Sequence, residues 1–435
     1  MSKTSNKSSQ IKAIRGMNDL FPDQTITWLK LEDLFKETLE QYGYGQLRTP
    51  ILEYSNLFSR SIGNVTDIVE KEMYTFADRN DQSLTLRPEG TAGCVRAGIE
   101  HGKLYNQTQK WWYNGPMFRY ERPQKGRYRQ FHQFGVEAFG FNGPSIDIEQ
   151  IELTARFWKK LGIYNNLRLE INTLGQPESR VKYRKILIEY LLEHKDLLSE
   201  QELSRLESNP MRILDSKNPK LIDVIKNAPN LIDYLDKQDI EFFDNFKSQL
   251  DNLGIKYIIN PHLVRGLDYY TQCVYEWITD DLGAQGTICA GGRYDVLVSQ
   301  LAGPETPAVG FAIGIERLLL LTETLDTTKK WAKSNKFTFY IINENNNLTN
   351  SQKIISDIRE QLQDHIIITD HSGGNLNKQF KRAEKFSADF VITINIDINI
   401  DINNKILLKP ICIKHAQLEL NINQINNWLK DNIKK

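Results

Sequence analysis

Five stretches of this chain carry arginines, carboxylates and tyrosines where a strand or turn has no structural need of them. They are Arg87–Thr91, Arg119–Glu137, Val264–Tyr270, Gly291–Asp295 and Gly310–Arg317. The richest lies within Trp111–Gly140, which reads WWYNGPMFRYERPQKGRYRQFHQFGVEAFG. Two strand-like runs flank a basic tip holding Arg122, Lys125, Arg127 and Arg129. A guanidinium is a planar fork that matches phosphate oxygens, so this tip can grip a phosphate or a nucleic-acid backbone. Strand side chains alternate between faces, so a hairpin here places Arg119, Glu121, Gln133 and Glu137 on one surface. The structural alternative is a half-solvated hairpin with a charged tip. Arg119, Arg265 and Arg317, if brought to one cleft, suit a polyphosphate whose charge they balance as it redistributes. The chain has no G-x-x-x-x-G-K-[ST] loop and no strand–G-x-G-x-x-G–helix unit, so neither common nucleotide fold is indicated.

The elements that must position these groups are readable in outline. Asp23 is expected to cap a helix that runs to about Tyr42, and Gly45–Leu52 is a short strand broken by Pro50, suited to an edge where a partner chain packs. Met73–Phe76 and Ser83–Arg87 form a hairpin, and Pro88–Thr91 opens a helix. A helix over Ser145–Leu161 and a strand over Leu167–Ile171 follow. From Pro177 to about Gly254 the chain turns Leu-, Glu- and Lys-rich, with Asn-Pro and Ala-Pro breaks, and reads as an inserted helical module. Strands return at Tyr257–Asn260, Tyr269–Ile278 and Gly286–Ala290, and Ala308–Arg317 is a buried strand passing into a helix over Leu318–Leu325. Residues 1–12 read as a flexible tail, 13–325 as one large domain, 326–336 as a linker and 337–435 as a small α/β domain. The Ile- and Asn-rich segment Ile392–Lys405 suits a strand and hairpin.

Composition narrows the class. The 435 residues include 55 Lys and Arg against 55 Asp and Glu, which argues against a generic nucleic-acid coat but leaves room for a local basic patch. No apolar run approaches a membrane span, and the polar N-terminus is not a secretory signal. Cys94, Cys273, Cys289 and Cys412 make no metal-ligand spacing and read as reduced, buried residues of a cytoplasmic protein.

On LTLRPEGTAGCVRA (84–97), GPMFRYERPQKGRYRQFHQFGVEAFG (115–140), LVRGLDYYTQCVYEW (263–277), AGGRYDVLV (290–298) and AVGFAIGIERLLLL (308–321), the chain resembles the histidyl-tRNA synthetases, a class II aminoacyl-tRNA synthetase family. The resemblance covers about residues 14–323, and SGGNLNKQFKRAEK (372–385) extends it into an anticodon-binding domain. It implies an α+β catalytic domain on a mainly antiparallel sheet flanked by helices, with a helical insertion and a C-terminal α/β domain. It also implies a homodimer that binds ATP with Mg2+, L-histidine and the acceptor end and anticodon of a tRNA.

The roles the resemblance implies can be set against the chemistry. Arg119 would hold the α-phosphate, Glu121 would place the adenine and Phe131 would stack on it. Arg127 and Arg317 would grip the outer phosphates. Arg265 would touch the α-phosphate and the substrate carboxylate, where related enzymes use a metal ion. Glu89 and Thr91 suit the substrate's cationic amino group. Glu137 and Tyr270 suit the imidazole, which has one donor and one acceptor nitrogen, with Gln133, Tyr269 and Tyr294 lining the pocket. Lys378, Lys381, Arg382 and Lys385 share one helix that reads equally as an RNA contact or a solvated face. Synthetase-like paralogues that sense histidine as regulatory subunits of a phosphoribosyltransferase are the rival. They usually lack the C-terminal domain and have eroded arginines, whereas this chain keeps Arg119, Arg265 and Arg317.

Overall fold

A computed structural model describes residues 10–63, 66, 68–216, 218–265, 267–283, 286–331, 336–343, 348–394, 405–411 and 415–433. Residues 1–9 of the expected tail, 332–335 of the expected linker, 395–404 of the Ile/Asn-rich segment and Cys412 lie outside the described residues. The chain divides into two compact units, Met1–Ala332 and Lys333–Lys435.

The first unit carries eleven strands among the described residues: β1 (Gly45–Gln46), β2 (Leu52–Tyr54), β3 (Tyr74–Ala77), β4 (Ser83–Leu86), β5 (Gln109–Phe118), β6 (Gln130–Phe139), β7 (Arg168–Thr173), β8 (Tyr257–Ile259), β9 (Thr271–Ile278), β10 (Thr287–Arg293) and β11 (Ala308–Gly314). Eight form one sheet in the order β1-β5-β6-β11-β10-β9-β7-β8. Its interior pairings are antiparallel, and only the outermost pairs, β1 with β5 and β7 with β8, are parallel. β2, β4 and β3 form a separate three-stranded antiparallel sheet. The strand expected over Gly45–Leu52 is thus two pieces in two sheets, parted at Pro50, which has no N–H to give to a ladder.

The alternation expected of β6 decides which face of the large sheet is core. Phe134, Val136 and Ala138 are buried in one apolar cluster with Phe35, Phe157 and Ile313, while Gln133 and Glu137 point to the opposite face. The helix Pro22–Gln41 covers the core face with Trp28, Leu31, Phe35 and Leu39, a 3.6-residue stripe. It starts before Asp23, which sits in the first turn and not at the cap; Phe21 precedes the helix, and its N–H donates to the Gln24 side chain. The helix Ser145–Leu161 packs Ile148, Ile151, Ala155 and Trp158 into the same cluster.

Parallel neighbours need a crossover connection, and the helical stretch lies within the one that joins β7 to β8. It includes the helices Pro177–Glu193, Glu200–Ser208 and Lys237–Asn252. Tyr183, Leu187, Leu191 and Ile213 belong to the second large cluster, which also holds Leu263, Tyr269, Tyr270 and Tyr294.

The second unit has five described strands, β12 (Thr338–Asn343), β13 (Ile366–Thr369), β14 (Phe390–Ile394), β15 (Lys405–Pro410) and β16 (Leu418–Asn421), in the order β13-β12-β14-β15-β16. β12 is parallel to both neighbours, and the other pairs are antiparallel. The described helices include Leu348–Gln361, Leu376–Lys385 and Ile425–Asn432. No helix among the described residues is long and apolar enough to cross a membrane.

Candidate active site

The non-core face of the large sheet floors a cavity of about 290 Å³. Gly115 pairs with Gln133, Gly135 with Tyr113, Ala312 with Gly135 and Gly310 with Glu137. Of these, Gly310 and Ala312 line the cavity together with Ala290 and Gly314 and keep its floor low, while Gly135 and Gly115 make room for the Tyr113 ring and the Arg87 guanidinium. Glu89, Thr91, Arg119, Glu121, Arg127, Phe131, Gln133, Arg265, Tyr269, Tyr270, Tyr294 and Arg317 all line this one cavity. Glu137 lies beneath it, 1 % exposed.

Four arginines converge on this cavity. Arg119 follows the last residue of β5, so it and Glu121 reach the cavity from the loop and not from the strand that parity assumed. Its Nε donates to the Pro88 carbonyl at 2.9 Å, and its guanidinium lies 5.3 Å from the centre of the Phe131 ring. Arg127 pairs with Glu121. Arg265, on the loop between β8 and β9, pairs with Glu276, whose other oxygen accepts from Thr287 Oγ1 at 2.9 Å. Arg317, in the first turn of the helix Ile315–Thr324, donates to the Thr287 carbonyl at 2.7 Å. The Nε atoms of Arg265 and Arg317 are buried and have no hydrogen-bond partner. Burial lowers the pKa of Arg317, and the nearby charges of Arg127 and Arg119 lower it further. Cations that repel one another in a cleft want a shared polyanion.

Beside the arginines is a closed carboxylate nest, with Glu89 near enough to Arg119 for the two charges to interact. Glu89 accepts from the backbone N–H groups of Thr91 at 2.6 Å and Ala92 at 2.9 Å, in the first turn of the helix Thr91–Glu100. The Glu137 carboxylate accepts from three hydroxyls, Thr91 Oγ1 at 2.7 Å, Tyr113 OH at 3.2 Å and Tyr294 OH at 2.5 Å. A Cβ at Gly310 would overlap the Glu137 carboxylate, and one at Gly135 or Gly90 would overlap the Tyr113 ring. Burial pushes Glu137 up from 4.5 to about 8, against the pull of its hydroxyl partners. Burial also raises Glu89. Gln133 Oε1 is buried with no partner, as in a pocket that waits for a donor.

The basic tip divides. Arg129 stacks 3.8 Å over Tyr120 and donates to the Glu121 carbonyl, so it shapes the loop. Arg122 and Lys125 are exposed. Three residues that matter here escaped the reading of the sequence: Tyr113, Glu276 and Thr287. Glu276 left a signal, a lone carboxylate within the otherwise apolar run CVYEWI. Tyr113 left none beyond its shared parity with Gly115. Cys94, Cys273 and Cys289 are free and buried.

An antiparallel sheet that carries an arginine-lined cleft on one face, with helices behind it, defines a class II aminoacyl-tRNA synthetase fold. The family model for histidyl-tRNA synthetase matches residues 16–318. The chain belongs to that family. The apo histidyl-tRNA synthetase of S. aureus is 34 % identical, with a TM-score of 0.79 over 97 % of this chain and all of that one. A Bacillus halodurans chain described as an ATP phosphoribosyltransferase regulatory subunit/histidyl-tRNA synthetase shares the fold at 22 % identity and TM-score 0.62, over 89 % of this chain and 98 % of its own. Histidyl-tRNA synthetase from Nostoc shares it at 19 % identity and TM-score 0.66, over 97 % and 99 %.

Proposed function

We propose that this protein attaches L-histidine to its cognate tRNA through a histidyl-adenylate. The histidine carboxylate attacks the α-phosphorus of ATP and pyrophosphate leaves; the terminal ribose hydroxyl of the tRNA then attacks the histidyl carbonyl and AMP leaves. The observation that carries this reading is that one cavity brings converging cations next to a buried carboxylate nest.

Arg119 and Arg265 are the catalytic residues of this reading, at the α-phosphate, with Arg265 also reaching the substrate carboxylate. Such preorganised cations stabilise charge as it moves onto the leaving pyrophosphate. Phe131 and Glu121 take the adenine, and Arg127 and Arg317 the outer phosphates. Glu89 and Thr91 hold the amino group. Glu137 and Tyr270 read the imidazole, and Gln133, Tyr269 and Tyr294 complete the pocket. Mg2+ would travel with ATP. It prefers oxygen ligands and keeps much of its shell as phosphate and water, and among the described residues no group of three or more His, Cys, Asp or Glu is placed to hold it, so ATP would supply most of its shell. Its chemistry would be to neutralise the outer phosphates. A homodimer, a cytoplasmic location and anticodon contact by residues 337–435 belong to the same proposal and rest on family membership.

Histidine-dependent exchange of labelled pyrophosphate into ATP tests the reading. Exchange is expected with folded protein alone, and charging once tRNA is added. Histidine binding with no exchange would instead favour the regulatory-subunit reading that the Bacillus halodurans likeness keeps open.

A further inference from the structure

The loop that delivers Arg265, Tyr269 and Tyr270 has little regular structure of its own. It lies between Ile259, where β8 ends, and Thr271, where β9 begins. Among its described residues the loop's backbone N–H bonds are few: Asn260 to the Ile171 carbonyl at 2.9 Å, a turn from Leu263 to Asn260, and Asp268 to the Ile62 carbonyl at 3.3 Å. A segment so sparsely bonded keeps one geometry only if side chains from elsewhere hold it.

Asn172 of β7 holds the loop's first turn, donating to the Pro261 and Leu263 carbonyls at 3.2 and 3.1 Å, and the helical stretch holds the part that carries Asp268 and Tyr270. Asn209 Nδ2 donates to Asp268 Oδ1 at 2.7 Å. The Arg212 fork closes on the same oxygen, Nε at 3.2 Å and Nη2 at 3.1 Å. Arg180 donates to the Tyr270 carbonyl at 2.9 Å. The apolar packing agrees, since the helical stretch and the loop share one cluster. Asn209 and Arg212 sit at the turn after the helix Glu200–Ser208, so that turn and the amino-acid pocket are linked through a single carboxylate.

The geometry points to the helical insertion as the positioning device for the histidine-side loop, with Asp268 as its attachment point and Asn209 and Arg212 as the clamp. Asp268, Asn209 and Arg212 are outside the cavity lining; they are positioning residues and act through Arg265, Tyr269 and Tyr270. This inference rests on the synthetase reading for its catalytic consequence, but the clamp itself does not.

Two measurements on the full chain test it. The first is amide hydrogen exchange over 261–270. Arg212→Ala is expected to speed exchange there by roughly tenfold, the usual scale for losing hydrogen bonds to a charged group, and to leave β10 and β11 at wild-type rates. Wild-type rates over 261–270 would overturn the proposal, and so would equal acceleration throughout the first unit. The second is pyrophosphate exchange in Arg212→Ala, Asp268→Asn and the double variant. Each single change is expected to raise the histidine KM about tenfold, with the ATP KM within twofold, and the double variant to be no worse than the worse single. Arg212→Lys is expected to recover part of the loss. Additive losses, or equal losses in both KM values, would reduce the contact to ordinary packing. If wild-type protein shows no pyrophosphate exchange, the synthetase reading fails, and the amide rates still decide the clamp.

Discussion

The two groups that line the cavity, its cations and its carboxylates, are built on opposite plans. Among the cations, four arginines reach in from loops and a helix start, and several already hold a protein oxygen: Arg127 on Glu121, Arg265 on Glu276, Arg317 on the Thr287 carbonyl. These contacts are exchangeable, because a phosphate oxygen can replace each one. Among the carboxylates, Glu137 sits on a central strand, is fully buried, and is held by three hydroxyls over a glycine. These partners are fixed in place, and Gln133 Oε1 on the same face of β6 is a buried acceptor still open to a ligand. The difference teaches that charge stabilisation tolerates movable donors, whereas selection of a small neutral ring needs fixed ones, since a fixed polar group left unpaired penalises every wrong ligand.

The comparison can be broken most decisively at Arg265. Arg265→Ala is expected to lower kcat/KM for pyrophosphate exchange by at least a hundredfold, roughly 3 kcal/mol of transition-state stabilisation, while tRNA affinity in a filter-binding assay stays within threefold. Equal losses in both assays would make Arg265 structural. Next in size is Glu137→Gln, expected to raise the histidine KM by ten- to a hundredfold with the ATP KM little changed. The same variant has a stability signature. With its pKa raised from 4.5 to about 8, Glu137 keeps its proton in the folded protein after the unfolded chain has lost it. Its contribution to stability is therefore full below about 4.5 and is lost as pH rises through about 8. Urea melts should show wild-type stability falling across that window, and Glu137→Gln should flatten that part of the profile. The smallest effect is expected at the exposed tip: Lys125→Ala should leave exchange unchanged and weaken tRNA binding about twofold, with a shallower salt dependence. A large loss of exchange there would place the tip in the phosphate site.

Much of this division was legible in the residues. The alternation in QFHQFGVEAF separates core from site, because strand parity is fixed by covalent geometry. The basic tip and the dispersed arginines were visible as groups no strand or turn requires. What stayed hidden depends on contacts between distant parts of the chain. No local pattern says that Arg119 and Glu121 act from beyond a strand end, that Glu276 holds Arg265, or that the stretch from Pro177 packs onto the loop of Tyr269 and Tyr270. The helix start missed by two residues, with the cap at Phe21 and not at Asp23, is a local error of another kind. Proline's fixed φ suits the first helical turn, so Pro22 begins the helix and Asp23 meets its positive end from within.

The order of the large sheet has a consequence for how the protein is made. β11 lies between β6 and β10, although it is the last of the eight strands to be synthesised. The β5–β6 hairpin can close on its own soon after it emerges. One edge of β6 then waits for a strand that begins only at Ala308. At 5–20 residues per second that delay is on the order of ten to thirty seconds. Throughout it, the strand that carries Gln133 and Glu137 offers unpaired backbone groups to any passing chain. The cavity floor therefore closes in one late event, and a nascent chain stopped before Gly314 has the carboxylates of the site but no complete surface to hold them.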